Sequence, residues 1–241
     1  MTAERQLAGC TALVTGASRG IGAAVARRLA AGGARVALLA RTESALKALA
    51  AEIGGGAVAV ACDIRRRDAS DVARRALEEL GVDSPDILIN NAGAFFVTPA
   101  HETSADDFRE MIELNLTAPF AFVRAFLPHM RRRGAGHIVT VGSIADRMAF
   151  PGNAAYAASK FGLRGLHEVL RAELKGTGVR ATLVSPGPVD TPLWDTVDSG
   201  HRVGHTQRTD MLPADAVADA VYYAVTAPAA VNVDELRLSR S

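Results

Sequence analysis

The sequence predicts an α/β fold in which helices cover both faces of a parallel β-sheet. Short apolar runs rich in β-branched residues alternate along the chain with longer segments of helical period. The first apolar run ends in a glycine-rich turn that leads directly into a helical segment. No linker, repeat or low-complexity tract interrupts this alternation. Because strands that alternate with helices form one parallel sheet, we expect a single domain over residues 1–241.

Each predicted strand is a short apolar run that ends at a glycine, an asparagine or a polar turn. The seven runs are residues 11–15, 34–40, 57–61, 86–90, 136–142, 179–184 and 231–238. The sixth is expected to stop at Val184, because the following Ser185-Pro186-Gly187-Pro188 contains two prolines that lack a backbone donor.

The predicted helices have apolar residues at helical spacing, and some follow a capping residue. They span residues 23–31, 42–53, 68–80, 104–130, 156–175 and 213–226. Ser104 is a candidate N-cap, and we expect Pro119 and Pro128 to bend or divide the helix that it begins. Residues 191–211 have no clear period and contain glycines and polar residues, which favours a substrate lid.

The composition excludes several classes of protein. Lysine and arginine number 27 against 26 acidic residues, so the net charge of +1 gives no basis for binding nucleic acid or an anionic membrane. Two cysteines without paired spacing argue against a disulfide framework and a thiolate zinc site. His201 and His205 lie four residues apart without an obvious third ligand, so no metal is expected. The N-terminus has no apolar signal region, and no apolar run reaches the ~18 residues of a membrane span, so we expect a soluble cytoplasmic protein.

The turn after the first strand predicts a binding site for phosphate groups. A strand, a glycine turn and a helix N-terminus together direct free N–H groups and the helix dipole at an anion. The glycines allow the backbone to approach a pyrophosphate closely. The residues of this turn that we expect to contact a dinucleotide are Gly16, Ser18, Arg19, Gly20, Ile21 and Gly22.

Tyr156 and Lys160 are the leading candidates for acid–base chemistry. At positions i and i+4 of a predicted helix, both side chains lie on one face. A phenol with an ordinary pKa near ~10 is a poor acid or base at neutral pH. We expect the nearby ammonium to favour the phenolate and to lower that pKa. The chain has three tyrosines, and Lys160 is one of the few lysines in a chain that otherwise prefers arginine.

Together these motifs resemble the short-chain dehydrogenase/reductase family along nearly the whole chain. The matches are Thr15–Gly22 as TGxxxGxG, Asn90–Gly93 as NNAG, and Asn115, Ser143, Tyr156 and Lys160 as a catalytic tetrad, followed by Pro186-Gly187 and Thr191. The resemblance implies a single-domain Rossmann fold, a doubly wound, seven-stranded parallel sheet with helices on both faces. A nicotinamide nucleotide would lie across the carboxyl ends of the strands.

The resemblance also assigns a role to each member of the tetrad. Tyr156 would protonate the alkoxide that forms when a ketone is reduced, or accept the proton of an alcohol in the reverse reaction. Lys160 would lower the Tyr156 pKa and bind the nicotinamide ribose. Ser143 would hold the substrate oxygen. Asn115 would hold its helix open around a water molecule of a proton relay.

Further cofactor contacts follow from the matched positions. Asp63 and Ile64 would flank the adenine ring, although an Asx turn at the end of a strand is the alternative for Asp63. The family positions along the rest of the dinucleotide are Asn91, Ala92, Gly93, Pro186, Gly187, Val189 and Thr191.

The end of the second strand predicts which nicotinamide cofactor is used. An NAD enzyme of this fold needs an acidic residue there to bind the ribose 2′-hydroxyl. Ala40 occupies that place, and Arg41 follows it. With Arg19 in the glycine turn, and with a hydroxyl from Ser18, Arg41 is expected to bind the 2′-phosphate of NADP(H).

The substrate is expected to be a largely apolar carbonyl compound or alcohol. The candidate wall residues are Ala145, Met148, Phe150, Phe95, Phe96, Leu193 and Trp194. A 3-oxoacyl-(acyl-carrier-protein) reductase remains an alternative, although Val231-Asn232-Val233-Asp234-Glu235 departs from the ending of such enzymes. A non-catalytic nucleotide sensor and a sugar-nucleotide epimerase are further alternatives. A homotetramer is expected from helices 104–130 and 156–175, with a dimer as the second choice.

Overall fold

A twisted sheet of seven parallel strands forms the centre of the computed structural model, which describes residues 6–196 and 207–241. The strands lie in the order β3-β2-β1-β4-β5-β6-β9. Their bounds are β1 Thr11–Thr15, β2 Arg35–Ala40, β3 Val58–Ala61, β4 Ile87–Asn90, β5 Gly136–Val141, β6 Val179–Pro186 and β9 Glu235–Leu238. The order reverses between β1 and β4, where an open parallel sheet forms its ligand-binding crevice. The predicted doubly wound Rossmann fold is confirmed.

Helices cover both faces of the sheet. Their bounds are α1 Gly20–Ala31, α2 Glu43–Ile53, α3 Ala69–Glu79, α4 Ala105–Ile112, α5 Ala118–Arg133, α6 Ala154–Leu174 and α7 Ala214–Thr226. One core is formed between the sheet and α1, α2 and α7, and the other between the sheet and α3, α5 and α6. Within the described residues, no helix is long and apolar enough to cross a membrane.

The helix predicted over residues 104–130 is divided, but not at a proline. Ser104 caps α4 by accepting a hydrogen bond from the backbone N–H of Asp107. A π-helical turn, Glu113–Thr117, then separates α4 from α5. Pro119 lies in the first turn of α5, directly after the π-helical turn, and Pro128 lies inside α5.

The prediction that β6 stops at Val184 is wrong, since the strand continues through Ser185 and Pro186. β5 ends opposite Val184, so that only β9 remains as a neighbour beyond this point. Pro186 pairs with Leu238 of β9. Because β5 has already ended, the missing backbone N–H of Pro186 removes no hydrogen bond to a strand on the other side.

β9 is shorter than predicted and begins at Glu235 instead of residue 231. Before β9 begins, the Asn232 side chain makes the hydrogen bonds to β6 that a neighbouring strand would make. Its Oδ1 accepts from Ala181 N at 3.0 Å, and its Nδ2 donates to Ala181 O at 3.1 Å. A small parallel pair that the sequence did not indicate, β7 Val189–Asp190 and β8 Leu212–Pro213, lies after β6.

Candidate active site

A cleft of about 510 Å³ brings together most of the predicted cofactor residues. Those that line it are Gly16, Ser18, Arg19, Gly20, Ile21, Gly22, Arg41, Asp63, Ile64, Asn91, Ala92, Gly93, Tyr156, Lys160 and Thr191. The cleft is also lined by residues that no sequence motif indicated, among them Cys62, Ala94, Leu114 and Gly142. Cys62 and Gly142 directly follow strands that end at this edge of the sheet, and that position could have identified them.

The glycine turn is closely packed against the end of β4. A Cβ added to Gly22 would lie 2.2 Å from the carbonyl oxygen of Gly16, and one added to Gly16 would lie 2.8 Å from the Cα of Ala92. Gly16 also has φ of 69°, which favours glycine. The Asn91 Nδ2 donates to the Thr15 carbonyl at 2.9 Å and holds the two loops together. A larger residue at Gly16 or Gly22 would therefore clash with the protein backbone and distort the turn.

The N-terminus of α1 is suited to bind an anion. Among the described residues, the N-cap residue Arg19 makes no side-chain capping bond, and the first turn of the helix contains no acidic residue. The first N–H groups of a helix have no partner within the helix, and the dipole adds positive potential there. The helix N-terminus and the glycine turn therefore fit the phosphates of a dinucleotide.

Arg19 and Arg41 are exposed at the rim of the cleft. Within residues 6–196 and 207–241, neither guanidinium has an ion pair or hydrogen bond to a protein group, so both are available to a ligand. Ala40, which ends β2, is buried and lines the cleft between them. An uncharged strand end next to two free arginines suits a 2′-phosphate better than a 2′-hydroxyl.

Asp63 has strong partners within the protein. The backbone N–H of Arg65 donates to its Oδ1 at 3.0 Å, which forms an Asx turn, and the Arg65 guanidinium pairs with its Oδ2 at 2.7 Å. The hydrogen bonds from Arg65 hold the Asp63 pKa below its usual range. The alternative that the sequence left open, an Asx turn, is therefore present, and the carboxylate still lines the cleft.

Tyr156, Ser143 and Lys160 meet where β5 ends. The Ser143 hydroxyl lies close enough to the Tyr156 phenol to lower its pKa. The Lys160 Nζ donates to the carbonyl of Val141 at 3.1 Å and lies 5.7 Å from the centre of the Tyr156 ring. Ser143 Oγ accepts a hydrogen bond from the backbone N–H of Ala145 at 3.1 Å, and this bond orients the hydroxyl group. Tyr156 and Lys160 therefore line one end of the cleft, and Ser143 lies next to Tyr156 without lining the cleft itself.

The pKa of Tyr156 is raised, not lowered as the Tyr/Lys spacing suggested. Burial raises it to about 12, the Ser143 hydroxyl opposes that change, and the Asp146 carboxylate adds to it. Burial lowers the Lys160 pKa to about 8, although Asp146 opposes this. The motif sets the proximity of the two side chains, whereas their surroundings set their proton affinity.

Asn115 occupies the π-helical turn and is fully buried. Its Oδ1 accepts from Ala94 N at 2.9 Å, and its Nδ2 donates to Ala94 O and to Ser159 Oγ, each at 3.0 Å. Asn115 therefore joins the loop after β4 to α6, next to Lys160. Its predicted position at an interruption of the helix is confirmed, and its role in a proton relay stays a prediction.

Aromatic side chains form a wall against Tyr156. The Phe95 ring is 4.8 Å from the Tyr156 ring and 5.1 Å from the Trp194 ring, both in edge-to-face geometry. Ala145 is buried in the turn after Ser143, and Leu193 lines the cleft. Of the candidate wall residues, Leu193 alone is among those that line the cleft. Phe96 and Phe150 are half-buried, and Met148 is 52% exposed.

Three predicted cofactor residues, Pro186, Gly187 and Val189, do not line the cleft. Pro186 and Val189 belong to strand pairs, and Gly187 N donates to the Leu238 carbonyl at 2.8 Å. They support the segment that carries Thr191, whose Cγ2 would lie 3.1 Å from a Cβ on Gly20.

The predicted lid, residues 191–211, is described only in part, since residues 197–206 lie outside the described residues, as do His201 and His205. Arg208 joins the two described ends: it pairs with Asp190 at 2.6 Å and with Asp195, and it donates to the Thr191 carbonyl at 2.8 Å. In the described ranges, no group of three potential ligands could hold a metal ion.

Comparison with known proteins agrees with this geometry. Residues 10–202 match the model of the short chain dehydrogenase family. The NADP-dependent 3-hydroxy acid dehydrogenase YdfG of Salmonella typhi is 34% identical over 231 residues, which cover 94% of this chain and 93% of that protein. A metagenomic short-chain oxidoreductase in complex with NADP superposes with a TM-score of 0.83 at 36% identity, covering 98% of this chain and 99% of the other. The closed form of serine dehydrogenase complexed with NADP+ gives a TM-score of 0.88 at 34% identity, covering 94% and 93%.

Proposed function

The chain belongs to the short-chain dehydrogenase/reductase family, and we propose that it reduces a largely apolar ketone to a secondary alcohol or catalyses the reverse oxidation. It is an NADP-dependent oxidoreductase of the group that acts on CH–OH and C=O groups. The observation that carries the proposal is that Tyr156 and Lys160, with Ser143 next to Tyr156, lie at one end of a cleft whose other parts fit a dinucleotide.

The protein contributes binding and proton transfer to this reaction. The glycine turn and the N-terminus of α1 would hold the pyrophosphate, and Arg19 and Arg41 the 2′-phosphate. NADPH, when bound, supplies the hydride that reduces the carbonyl carbon. The binding site places this donor and the substrate in the orientation that transfer requires.

The proton of the new alcohol comes from Tyr156. Ser143 donates a hydrogen bond to the carbonyl oxygen, which becomes more negative as reduction proceeds. Tyr156 passes its phenolic proton to the same oxygen. Lys160, held by the Val141 carbonyl, places a positive charge beside the phenolate that remains. In the oxidative direction, the phenolate accepts the proton of the alcohol.

The surroundings of Tyr156 favour an uncharged, apolar substrate. Phe95 and Trp194 form one side, and the charged groups that act on the Tyr156 phenol include the buried carboxylate of Asp146. A substrate with its own carboxylate would be repelled by Asp146 and would need a cation near Phe95.

Activity measured with NADPH on aryl ketones, β-ketoesters, quinones and acetoacetyl carrier protein, and with NADP+ on L-serine and 3-hydroxypropionate, tests the substrate class. Higher kcat/KM for the two hydroxy acids than for the aryl ketones would contradict it.

Tyr156→Phe tests the proposed chemistry. The substitution keeps the ring that packs against Phe95 and removes only the ionisable oxygen. Loss of a positioned acid–base group lowers kcat by about 10²–10⁴-fold, whereas the Kd for NADPH should change little. Tyr223→Phe, at an exposed tyrosine of α7, is the matched control and should retain full activity. A Tyr156→Phe enzyme with a tenth of the wild-type kcat would refute the role of Tyr156 as proton donor.

We also propose a homotetramer in the cytoplasm. Phe108, Phe120, Phe161 and Val169, on α4, α5 and α6, are large apolar side chains that remain exposed in one chain. Burial of such side chains between copies of the chain would stabilise an assembly. The two free cysteines, Cys10 and Cys62, fit a reducing compartment.

A further inference from the structure

A buried carboxylate lies directly behind the catalytic end of the cleft. Asp146 follows Ser143 by three residues, in the short helical turn Ile144–Asp146, and its backbone N–H donates to the Ser143 carbonyl at 2.9 Å. Its side chain is 0% exposed. Burial of a charged carboxylate is unfavourable unless partners compensate it, so the contacts of this group determine how it acts.

The partners of Asp146 come from several elements of the fold. Ser185 of β6 donates its hydroxyl to Oδ2, and Arg147 Nε donates to Oδ1 at 2.9 Å. On α6, Arg164 NH1 lies 3.8 Å from Oδ1. Both arginines also pair with Glu235 of β9.

The two arginines therefore do not belong to Asp146 alone. Arg164 pairs with Glu168 as well, at 3.2 Å. Arg147 and Arg164 are thus shared among three carboxylates: Asp146, Glu168 and Glu235. Arg171 also pairs with Glu168, at 3.1 Å, and with Asp234. Because three arginines face four carboxylates, the cluster keeps a net negative charge.

The Asp146 carboxylate and the Lys160 ammonium lie at neighbouring positions along β5. Lys160 Nζ donates to the carbonyl of Val141. A Cβ built on the next residue, Gly142, would be 2.8 Å from Asp146 Oδ2. In the part of the chain that the structure describes, Lys160 and Asp146 form no direct ion pair, although both are buried. The end of β5 separates the two charges, so Asp146 acts on the catalytic pair through space.

We propose that Asp146 is a positioning residue that retains protons on Tyr156 and Lys160 and thereby sets the pH range of the reaction. The inference rests on the proposed function, since it needs Tyr156 to exchange the proton. The charged groups that face Asp146 are Lys160 and Arg164 from α6, Arg147 from the turn that follows it, and Glu235 from β9 through the shared arginines. Asp146 raises the pKa of both Tyr156 and Lys160, which is the effect expected of a nearby negative charge.

Asp146→Asn removes the charge and nearly conserves the shape. Without that charge, Tyr156 and Lys160 lose their protons more easily, so the pKa of each group falls. Each limb of a pH–rate profile that depends on one of these groups therefore moves to lower pH. We expect the alkaline limb of kcat/KM for reduction and the acid limb for oxidation each to shift down by about one pH unit. The profiles are measured with ethyl acetoacetate and NADPH, and with ethyl 3-hydroxybutyrate and NADP+; if another ketone–alcohol pair has higher kcat/KM, that pair is used.

Glu235→Gln is the matched control. It removes a carboxylate from the same cluster and from the same two arginines, but Glu235 is not among the groups that shift the pKa of Tyr156 or Lys160. We expect its pH limits to stay within a few tenths of a unit of wild type. Equal shifts in both variants would overturn the assignment to Asp146, as would lower activity of Asp146→Asn with unmoved limits, because a purely structural role would give that result.

A second variant keeps the test decisive if Asp146→Asn does not fold. Arg147→Gln removes the cation bonded to Asp146, so the carboxylate acts more strongly and both limits should shift to higher pH. A shift to lower pH, or none, would refute the proposal. A failure of the proposed function can be distinguished from a failure of this inference. If the proposed function is wrong, the Tyr156→Phe variant remains active, whatever the pH profiles of the other variants show.

Discussion

Replacing Arg19 and Arg41 with leucine, singly and together, should impair the use of NADPH while leaving the use of NADH almost unchanged. Both side chains lie at the rim of the cleft, next to Ala40. Neither has an ion pair or hydrogen bond in the described ranges, so their loss breaks no protein contact of that kind. The 2′-phosphate is the group that distinguishes the two cofactors, and NADH has none for a guanidinium to bind.

The exposure of the two arginines bounds the magnitude of the effect. Hydrogen bonds to charged groups are worth about 1.5–3 kcal/mol, but exposed ion pairs often give less than about 1 kcal/mol. A value of about 1–2 kcal/mol for each arginine lies between these limits, which corresponds to roughly fivefold to thirtyfold in kcat/KM. If the two effects add, the double variant loses about 10²-fold or somewhat more with NADPH.

Steady-state kcat/KM for both cofactors, at a fixed ketone concentration, measures this selectivity. Most of the change should appear in the KM for NADPH, because the phosphate is remote from the reacting atoms. Arg67→Leu is the matched control, since Arg67 is exposed near the same edge but does not line the cleft. Adding Ala40→Asp to Arg41→Leu should improve the use of NADH by supplying an acceptor for the 2′-hydroxyl. The reasoning would be wrong if the wild-type enzyme used NADH as well as NADPH.

Two further predictions concern stability and assembly. Burial lowers the pKa of His137 to about 3 and of His167 to about 4, so the stability that their neutral forms provide is present above pH ~6.5 and is lost as the pH falls towards those values. Urea unfolding should show a loss of roughly 1.4 kcal/mol per pH unit for each buried histidine, and His167→Gln should reduce that slope, whereas His101→Gln, at an exposed site, should not. Phe120→Asp should lower the assembly state seen by sedimentation, while Tyr223→Asp, on the exposed face of α7, should leave it unchanged. A wild-type monomer at micromolar concentration would contradict the proposed tetramer.

The parts of the fold that depend on local pattern could be predicted from the sequence. β1 and the body of α2 match the predicted residues, because apolar periodicity and glycine breaks are encoded within a few positions. The phosphate-binding turn was also recognisable, since Gly16 and Gly22 are required by close packing within a short stretch.

The parts that depend on distant partners could not be predicted in this way. β6 continues through Pro186 because β9, some fifty residues later, supplies the neighbouring strand. The start of β9 depends on the Asn232 amide, which binds both backbone groups of Ala181. The division of the long helix at Asn115 depends on hydrogen bonds to Ala94 and Ser159. Each of these features needs a contact that no sequence window contains.

The proton affinity of the catalytic pair is another property that the motif does not determine. The spacing of Tyr156 and Lys160 places an ammonium beside a phenol, and by itself this would favour the phenolate. In the folded protein, burial and Asp146 act in the opposite direction and keep the phenol protonated, while Lys160, with a pKa of about 8, remains largely charged at neutral pH. A protonated phenol is the form that reduction consumes, whereas oxidation must begin with the phenolate. The environment at the end of β5 therefore prepares this site for reduction at neutral pH, and oxidation should become faster as the pH rises.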